Sequence, residues 1–207
     1  FNMTEGEWDT VIKVHLYGTF NCTRHASVSM REQRSGRIIN TVSLAWLGQP
    51  GQINYCAAKG GIVSFTRAAA RELGRYGITV NAIRPGGYTR MMVTPEVVAG
   101  AKKNLERGII NEEQYNMMVN PPPPEYCAPM VVYLASDQAA NINGQVIRSQ
   151  GTAKRGSIIS LYSDPIEIKT IYKMEGMWTL EELEGLIPNS ISAGLVNPAP
   201  AQPPKEK

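Results

Sequence analysis

The chain has 207 residues, of which 43% are hydrophobic and 19% are charged, so it can build a core and is not a disordered chain. Its 21 basic and 18 acidic residues leave a formal charge of only +3, which argues against a nucleic-acid binder. No apolar stretch reaches the roughly 18 residues of a membrane span, and the first residues do not read as a signal peptide. Cys22, Cys56 and Cys127 are odd in number and lack a CxxC spacing, so we expect reduced thiols in a cytoplasmic protein and no metal site.

The first predicted element is a long helix. Thr4 and Glu7 have the spacing of a capping box, and apolar residues follow at helical intervals, with His15 inside the apolar stripe. We expect helix from about Glu5 to Arg34, broken at residues 35–36. The sequence thus opens at the start of a helix, and we expect further chain to precede it.

The next elements alternate between strand and helix. We predict a strand over 37–42, a helix over 53–76 that Gly77 ends, and a strand over 78–83. Alternation with short connections is typical of parallel βαβ units, so we predict an α/β fold with a parallel sheet.

The remaining chain is predicted as helices over 94–108, 112–118 and 125–136, and a strand over 144–149. Residues 157–173 alternate as in a hairpin, and Thr179 with Glu182 forms a second capping box before a short helix to about Ile187. We therefore divide the chain into a main domain over 1–151, an extension over 152–197, and a Pro-rich tail over 198–207 that we expect to be disordered.

Tyr55 and Lys59 are the first candidate catalytic residues. They are four apart in a predicted helix, so they project from one face. An ammonium held close to a phenol stabilises the phenolate and lowers the phenol's pKa, which suits proton exchange with an alcohol. The alternative is a solvated helix face that carries no chemistry.

Two further groups are predicted at the carboxyl edge of the sheet, where ligands bind in α/β folds. Ser43 follows one strand, and its hydroxyl could hold a substrate oxygen or merely cap a turn. Pro85, Gly86 and Gly87 follow the next strand, either as a close approach to a ligand or as a plain turn, and Thr89 could bond a carboxamide.

Four segments in order resemble the short-chain dehydrogenase/reductase family, over roughly residues 3–151. They are Gly36-Arg-Ile-Ile-Asn-Thr-Val-Ser43, Gly51-Gln-Ile-Asn-Tyr-Cys-Ala-Ala-Lys59, Gly77-Ile-Thr-Val-Asn-Ala-Ile-Arg-Pro-Gly86, and Pro124 to Ser136 with Gly144-Gln-Val146. The resemblance implies the C-terminal part of a Rossmann-type doubly wound parallel sheet with a C-terminal extension. It also implies a homodimer or homotetramer, because the helices around Trp8 and Tyr55 correspond to the family's usual subunit interface.

The resemblance implies roles for named residues. Ser43 would orient the carbonyl or alcohol, Tyr55 would be the general acid/base, and Lys59 would assist Tyr55 and bond the nicotinamide ribose. The residues implied at the cofactor, NAD or NADP, are Thr41, Tyr55, Lys59, Pro85, Gly86, Gly87 and Thr89.

Three departures from the family pattern matter. The spacing from Ser43 to Tyr55 is one residue short, and counting back from Tyr55 would place Val42 at the serine position. His15 stands where many members carry an asparagine that anchors a relay water, and it could pass a proton or simply be packed in a helix. The family's Gly-rich turn and Asn-Asn-Ala-Gly segment are not in the sequence, so we expect the cofactor-binding half to be missing.

The predicted function is hydride transfer between NAD(P) and a secondary alcohol or ketone. Residues 14–20, with Arg90-Met91, are most similar to the (3R)-hydroxyacyl-CoA dehydrogenase part of peroxisomal multifunctional enzymes, which suggests a 3-hydroxyacyl thioester. The alternative is a truncated or decayed, non-catalytic member that acts as an interaction or subunit module.

Overall fold

A computed structural model describes residues 2–49, 51–87, 89, 93–152, 156–163 and 167–197. The predicted tail over 198–207 lies outside these residues, as do Arg90 and Met91. The strands are β1 (Gly36–Thr41), β2 (Ile78–Gly86), β3 (Val146–Gly151), β4 (Ser157–Ser163) and β5 (Glu167–Lys173). The helices are α1 (Glu5–Ile12), α2 (Gly18–Gln33), α3 (Ile53–Leu73), α4 (Pro95–Glu106), α5 (Glu112–Val119), α6 (Ala128–Ala135) and α7 (Leu180–Leu186).

The sheet is mixed, with the strand order β1-β2-β3-β4-β5. Strands β1, β2 and β3 are parallel, with Gly36 opposite Ile78 and Ala82 opposite Val146. Strand β4 runs antiparallel to β3, and β5 antiparallel to β4. This is the α/β architecture of a Rossmann-type sheet, as the sequence predicted, with two antiparallel strands added at one edge.

Helices cover both faces of this sheet. Ala82 and Val146 pack with Ile62 and Val63 of α3 on one face. Their strand neighbours Ile83 and Ile147 point to the other face, where α6 and α7 contribute buried residues that include Tyr133, Leu134, Leu183 and Ile187. The β1-α3-β2 and β2-α6-β3 connections advance in the same direction but use opposite faces, so the two crossovers have opposite hands.

The ends of the first helical region follow from local chemistry. Thr4 and Glu7 form the predicted capping box of α1. A π-helical turn, Lys13–Tyr17, separates α1 from α2, which the sequence did not predict. Arg34 ends α2 in the left-handed region at φ 55°, one residue before the predicted break.

The later elements match their predicted places within a few residues. Helix α3 ends at Leu73, and a 3-10 turn carries the chain to Gly77, which takes φ 77° as a capping glycine does. The predicted helix over 125–136 begins as a 3-10 turn, Pro124–Cys127, before α6.

The predicted hairpin and capped helix beyond residue 151 are present as β4, β5 and α7. Strand β4 pairs directly with β3, and Trp178, Leu183 and Ile187 are buried in the same cluster as α6. The extension thus shares a sheet and a core with the residues before it, and the domain boundary at 151–152 stays a prediction.

Candidate active site

Lys59 lies in α3 and is buried to 5% exposure. Its Nζ donates a hydrogen bond of 2.9 Å to the backbone oxygen of Thr41, the last residue of β1. Burial lowers the pKa of Lys59 from its usual value. The ammonium is therefore fixed between the helix and the carboxyl end of β1, and among the described residues Thr41 is its one hydrogen-bond partner, which leaves N–H groups for a ligand.

Tyr55 lies one helical turn before Lys59 and is half-buried. The Lys59 Nζ is 5.4 Å from the centre of the Tyr55 ring. Among the described residues, the Tyr55 hydroxyl has no hydrogen-bond partner. The pair shares one helix face, as its spacing predicted, and a charged group stands close to a phenol that is free to bond a ligand.

His15 contacts the same tyrosine from the π-helical turn. The His15 and Tyr55 rings meet edge to face, with centroids 5.2 Å apart and planes at 77°. Burial and the charge of Lys59 lower the pKa of His15 from its usual value of 6.5. The imidazole is therefore neutral at pH 7, and a neutral imidazole can both donate and accept a proton.

Ser43 lies two residues beyond Thr41, at the start of a 3-10 turn, Leu44–Leu47. Its hydroxyl accepts a hydrogen bond of 3.3 Å from the backbone N–H of Ala45, the turn-capping contact that was the alternative to a catalytic role. In the described part of the chain, no hydrogen bond joins Ser43 to Tyr55. Val42, the other residue that the spacing allowed, is 2% exposed in the core, and its side chain has no polar atom that could bond a substrate.

The predicted cofactor residues Pro85, Gly86 and Gly87 lie at the carboxyl end of β2, which pairs with the carboxyl end of β1. Pro85 and Gly86 are the last residues of β2, and Gly87 follows them. A Cβ on Gly87 would lie 2.6 Å from the Cα of Pro124, and one on Gly86 would meet the Gln150 side chain. Close packing against the Pro124 backbone thus requires a glycine at Gly87, whereas the Gln150 side chain facing Gly86 can move aside.

The structure joins Lys59 to the Thr41 carbonyl by a hydrogen bond and places the Tyr55 ring near both Lys59 and His15, and Ser43 lies two residues beyond Thr41. Thr89 is exposed. Sequence reasoning missed Arg84 and Arg148, which are neighbours on β2 and β3. Their common signal was an arginine directly after a buried isoleucine, Ile83 in β2 and Ile147 in β3.

Comparisons with known proteins now define the class of protein. Residues 1–151 match the family model described as Enoyl-(Acyl carrier protein) reductase. Together with the Rossmann-type sheet and the order of the four segments noted above, this match places the chain in the short-chain dehydrogenase/reductase family.

Curated relatives are dehydrogenases and reductases. The chain is 42% identical over 155 residues to hydroxyacyl-CoA dehydrogenase ChsB1 of Mycobacterium tuberculosis, covering 70% of this chain and 45% of that protein. It is 39% identical over 155 residues to 3-oxoacyl-[acyl-carrier-protein] reductase FabG of Staphylococcus aureus, covering 72% of this chain and 58% of that protein. The chain thus spans about half the length of the curated relatives it matches.

One similar solved structure is the full-length peroxisomal multifunctional enzyme type 2 of Drosophila melanogaster. The TM-score is 0.53 at 31% identity, and the match covers 72% of this chain and 24% of that one. Among the described residues, no helix is long and apolar enough to cross a membrane.

Proposed function

We propose that the chain is an NAD(P)-dependent oxidoreductase that interconverts a secondary alcohol and a ketone, with a 3-hydroxyacyl or 3-oxoacyl thioester as its substrate. The observation that carries this proposal is the fixed Lys59 ammonium beside the Tyr55 ring, with the His15 ring also against that of Tyr55. The named activities of the relatives support the substrate class.

The residues present fit the nicotinamide end of the cofactor. Lys59 keeps N–H groups beyond the one bound by Thr41, and the Tyr55 hydroxyl has no partner among the described residues, so both can bond a ribose. Thr41, Pro85, Gly86, Gly87 and Thr89 would line the same edge of the sheet. A nicotinamide, when bound, supplies or accepts the hydride.

The chain's own residues handle the proton. In the reduction, the Tyr55 hydroxyl gives its proton to the substrate oxygen, which the Ser43 hydroxyl holds in place. The Lys59 ammonium stabilises the negative charge that develops on the phenol oxygen. The neutral imidazole of His15 then returns a proton to Tyr55, through a water, from solvent.

A non-catalytic interaction module is the second candidate, and exposed apolar side chains favour it. Four such residues lie close together along the chain or in packed helices: Trp8 of α1 (39% exposed), Tyr17 of the π-helical turn (57%), Phe20 of α2 (44%) and Ile53 of α3 (65%). Such a surface suits a contact with another subunit, which a homodimer or homotetramer of the enzyme would also use. The two candidates are separated by turnover.

The test is the oxidation of NADH or NADPH with acetoacetyl-CoA as substrate, followed at 340 nm. Tyr55→Phe keeps the ring and removes the proton, so we expect kcat to fall at least 10³-fold while the fold is kept. Tyr172→Phe is the matched control, because Tyr172 is 65% exposed on β5, at the edge of the sheet opposite β1. Retained turnover in Tyr55→Phe contradicts the mechanism, and absence of turnover in the wild type favours the interaction module.

A further inference from the structure

Two arginines lie side by side on the sheet. Arg84 of β2 and Arg148 of β3 are partners in the parallel register. Both side chains point to the α3 face, because their neighbours Ala82 and Val146 pack against α3 and side chains alternate along a strand. Adjacent strands are about 4.8 Å apart, so the two arginine side chains leave the sheet at neighbouring positions.

This arginine pair, Arg84 and Arg148, lacks a counter-charge. In the part of the chain that the structure describes, neither guanidinium forms an ion pair with a carboxylate. Arg84 donates to the amide oxygen of Gln150, a neutral acceptor. The Nε of Arg148 is buried without any hydrogen-bond partner.

The Tyr162 hydroxyl and the Cys127 thiol favour the charged form of Arg84, whereas the second guanidinium, that of Arg148, opposes it. The Tyr162 ring meets Trp46 edge to face at 6.1 Å, and the indole N–H of Trp46 is also buried without a partner. Burial and the second guanidinium lower the pKa of Arg84, but arginine titrates so high that both groups stay charged at neutral pH.

Two unpaired, partly buried cations repel each other, and leaving buried donors unbonded costs free energy. A ligand that carries two negative charges and several acceptor oxygens removes both costs. A phosphoryl group carries close to two charges at pH 7.5 and accepts bidentate bonds from guanidinium forks, whereas a carboxylate carries one charge.

We propose that Arg84 and Arg148 form a binding site for a phosphoryl group on the α3 face of the sheet. The site lies beside the candidate active site. The N–H of Val42 bonds the backbone oxygen of Ile83, which precedes Arg84, and Val42 in turn precedes Ser43. It goes beyond the proposed reaction, and its test requires no turnover.

The experiment is isothermal titration of the chain with inorganic phosphate at pH 7.5 and, separately, with acetate. We expect saturable binding of one phosphate per chain and no saturation by acetate over the same concentrations. Arg148→Gln should weaken phosphate binding at least tenfold, because it removes one charged fork. Acetate binding as tight as phosphate binding, or no saturable phosphate binding, overturns the proposal.

The matched control is Arg75→Gln, because Arg75 belongs to a second group of arginines, with Arg31 and Arg34 around the Tyr76 ring. Phosphate affinity should stay within twofold in this variant. Loss of binding in Arg75→Gln would show that phosphate binds at the arginines around Tyr76, which contradicts the proposal. Circular dichroism checks that Arg148→Gln folds. If it does not fold, Arg148→Lys replaces it, because lysine keeps the positive charge but lacks the guanidinium fork. This variant should bind phosphate at least threefold more weakly than the wild type. Unchanged affinity contradicts the site.

Discussion

The Lys59→Met variant tests the electrostatic part of the proposed mechanism. The Lys59 Nζ lies 5.4 Å from the centre of the Tyr55 ring, and at an effective dielectric constant of about 20 a unit charge at this distance contributes about 3 kcal/mol. Removing the charge should therefore slow proton transfer about 10²-fold. Methionine has a similar length and is apolar, so it fills the same buried space.

Stability should change little in this variant. The lost hydrogen bond to Thr41 is opposed by the relief of burying a charge, so we expect the free energy of unfolding to stay within about 1 kcal/mol of the wild type. The assay is kcat for acetoacetyl-CoA reduction, with urea unfolding of the same samples. Lys59→Arg, which keeps a charge, should retain more activity than Lys59→Met. A kcat within threefold of the wild type in Lys59→Met would refute the electrostatic reasoning.

Two further predictions concern stability. The pKa of His15 in the folded chain is below its usual value, so the unfolded chain binds the proton first as the pH falls. The free energy of unfolding, measured by urea titration, should therefore drop between pH 7.5 and 5.5. That drop should vanish in His15→Gln and persist in His25→Gln, since His25 is exposed; an equal drop in His15→Gln would contradict the assignment. Leu183→Ala in α7 should cost about 2–4 kcal/mol in a single unfolding transition, because Leu183 is 0% exposed in the core that α7 shares with the sheet. Leu186→Ala on the same helix, 43% exposed, should cost under about 1 kcal/mol, and a separate early transition in Leu183→Ala would instead indicate an independently folded extension.

Local features of the fold could be predicted from the sequence. The capping boxes at Thr4 and Thr179 depend on residues three apart, and the structure forms both. The π-helical turn around His15 could not be predicted, because one extra residue in a turn barely changes the apolar spacing over so short a stretch. This turn contains His15, whose ring lies against that of Tyr55. The resemblance predicted a proton-transfer role for His15, but the sequence did not predict the helix irregularity in which His15 lies.

Pairing between strands that are distant in the sequence could not be predicted either. The hairpin after residue 156 followed from its alternation, but the pairing of β4 with β3 did not, since register between distant strands is decided by tertiary packing. The arginine pair escaped prediction for the same reason, because only the register between β2 and β3 brings Arg84 and Arg148 together. The Tyr55–Lys59 pair was accessible because both residues lie on one helix.

The central claim is that the edge of the sheet beside Lys59 and Tyr55 binds a nicotinamide cofactor, and a fluorescence titration with NADH tests it most directly. The account predicts saturable binding to the wild-type chain and clearly weaker binding to Lys59→Met, which loses the ammonium that would hold the ribose. The same titration with NADPH shows which of the two cofactors is preferred. No saturation by either cofactor up to millimolar concentration, or equal binding by Lys59→Met, would contradict the claim.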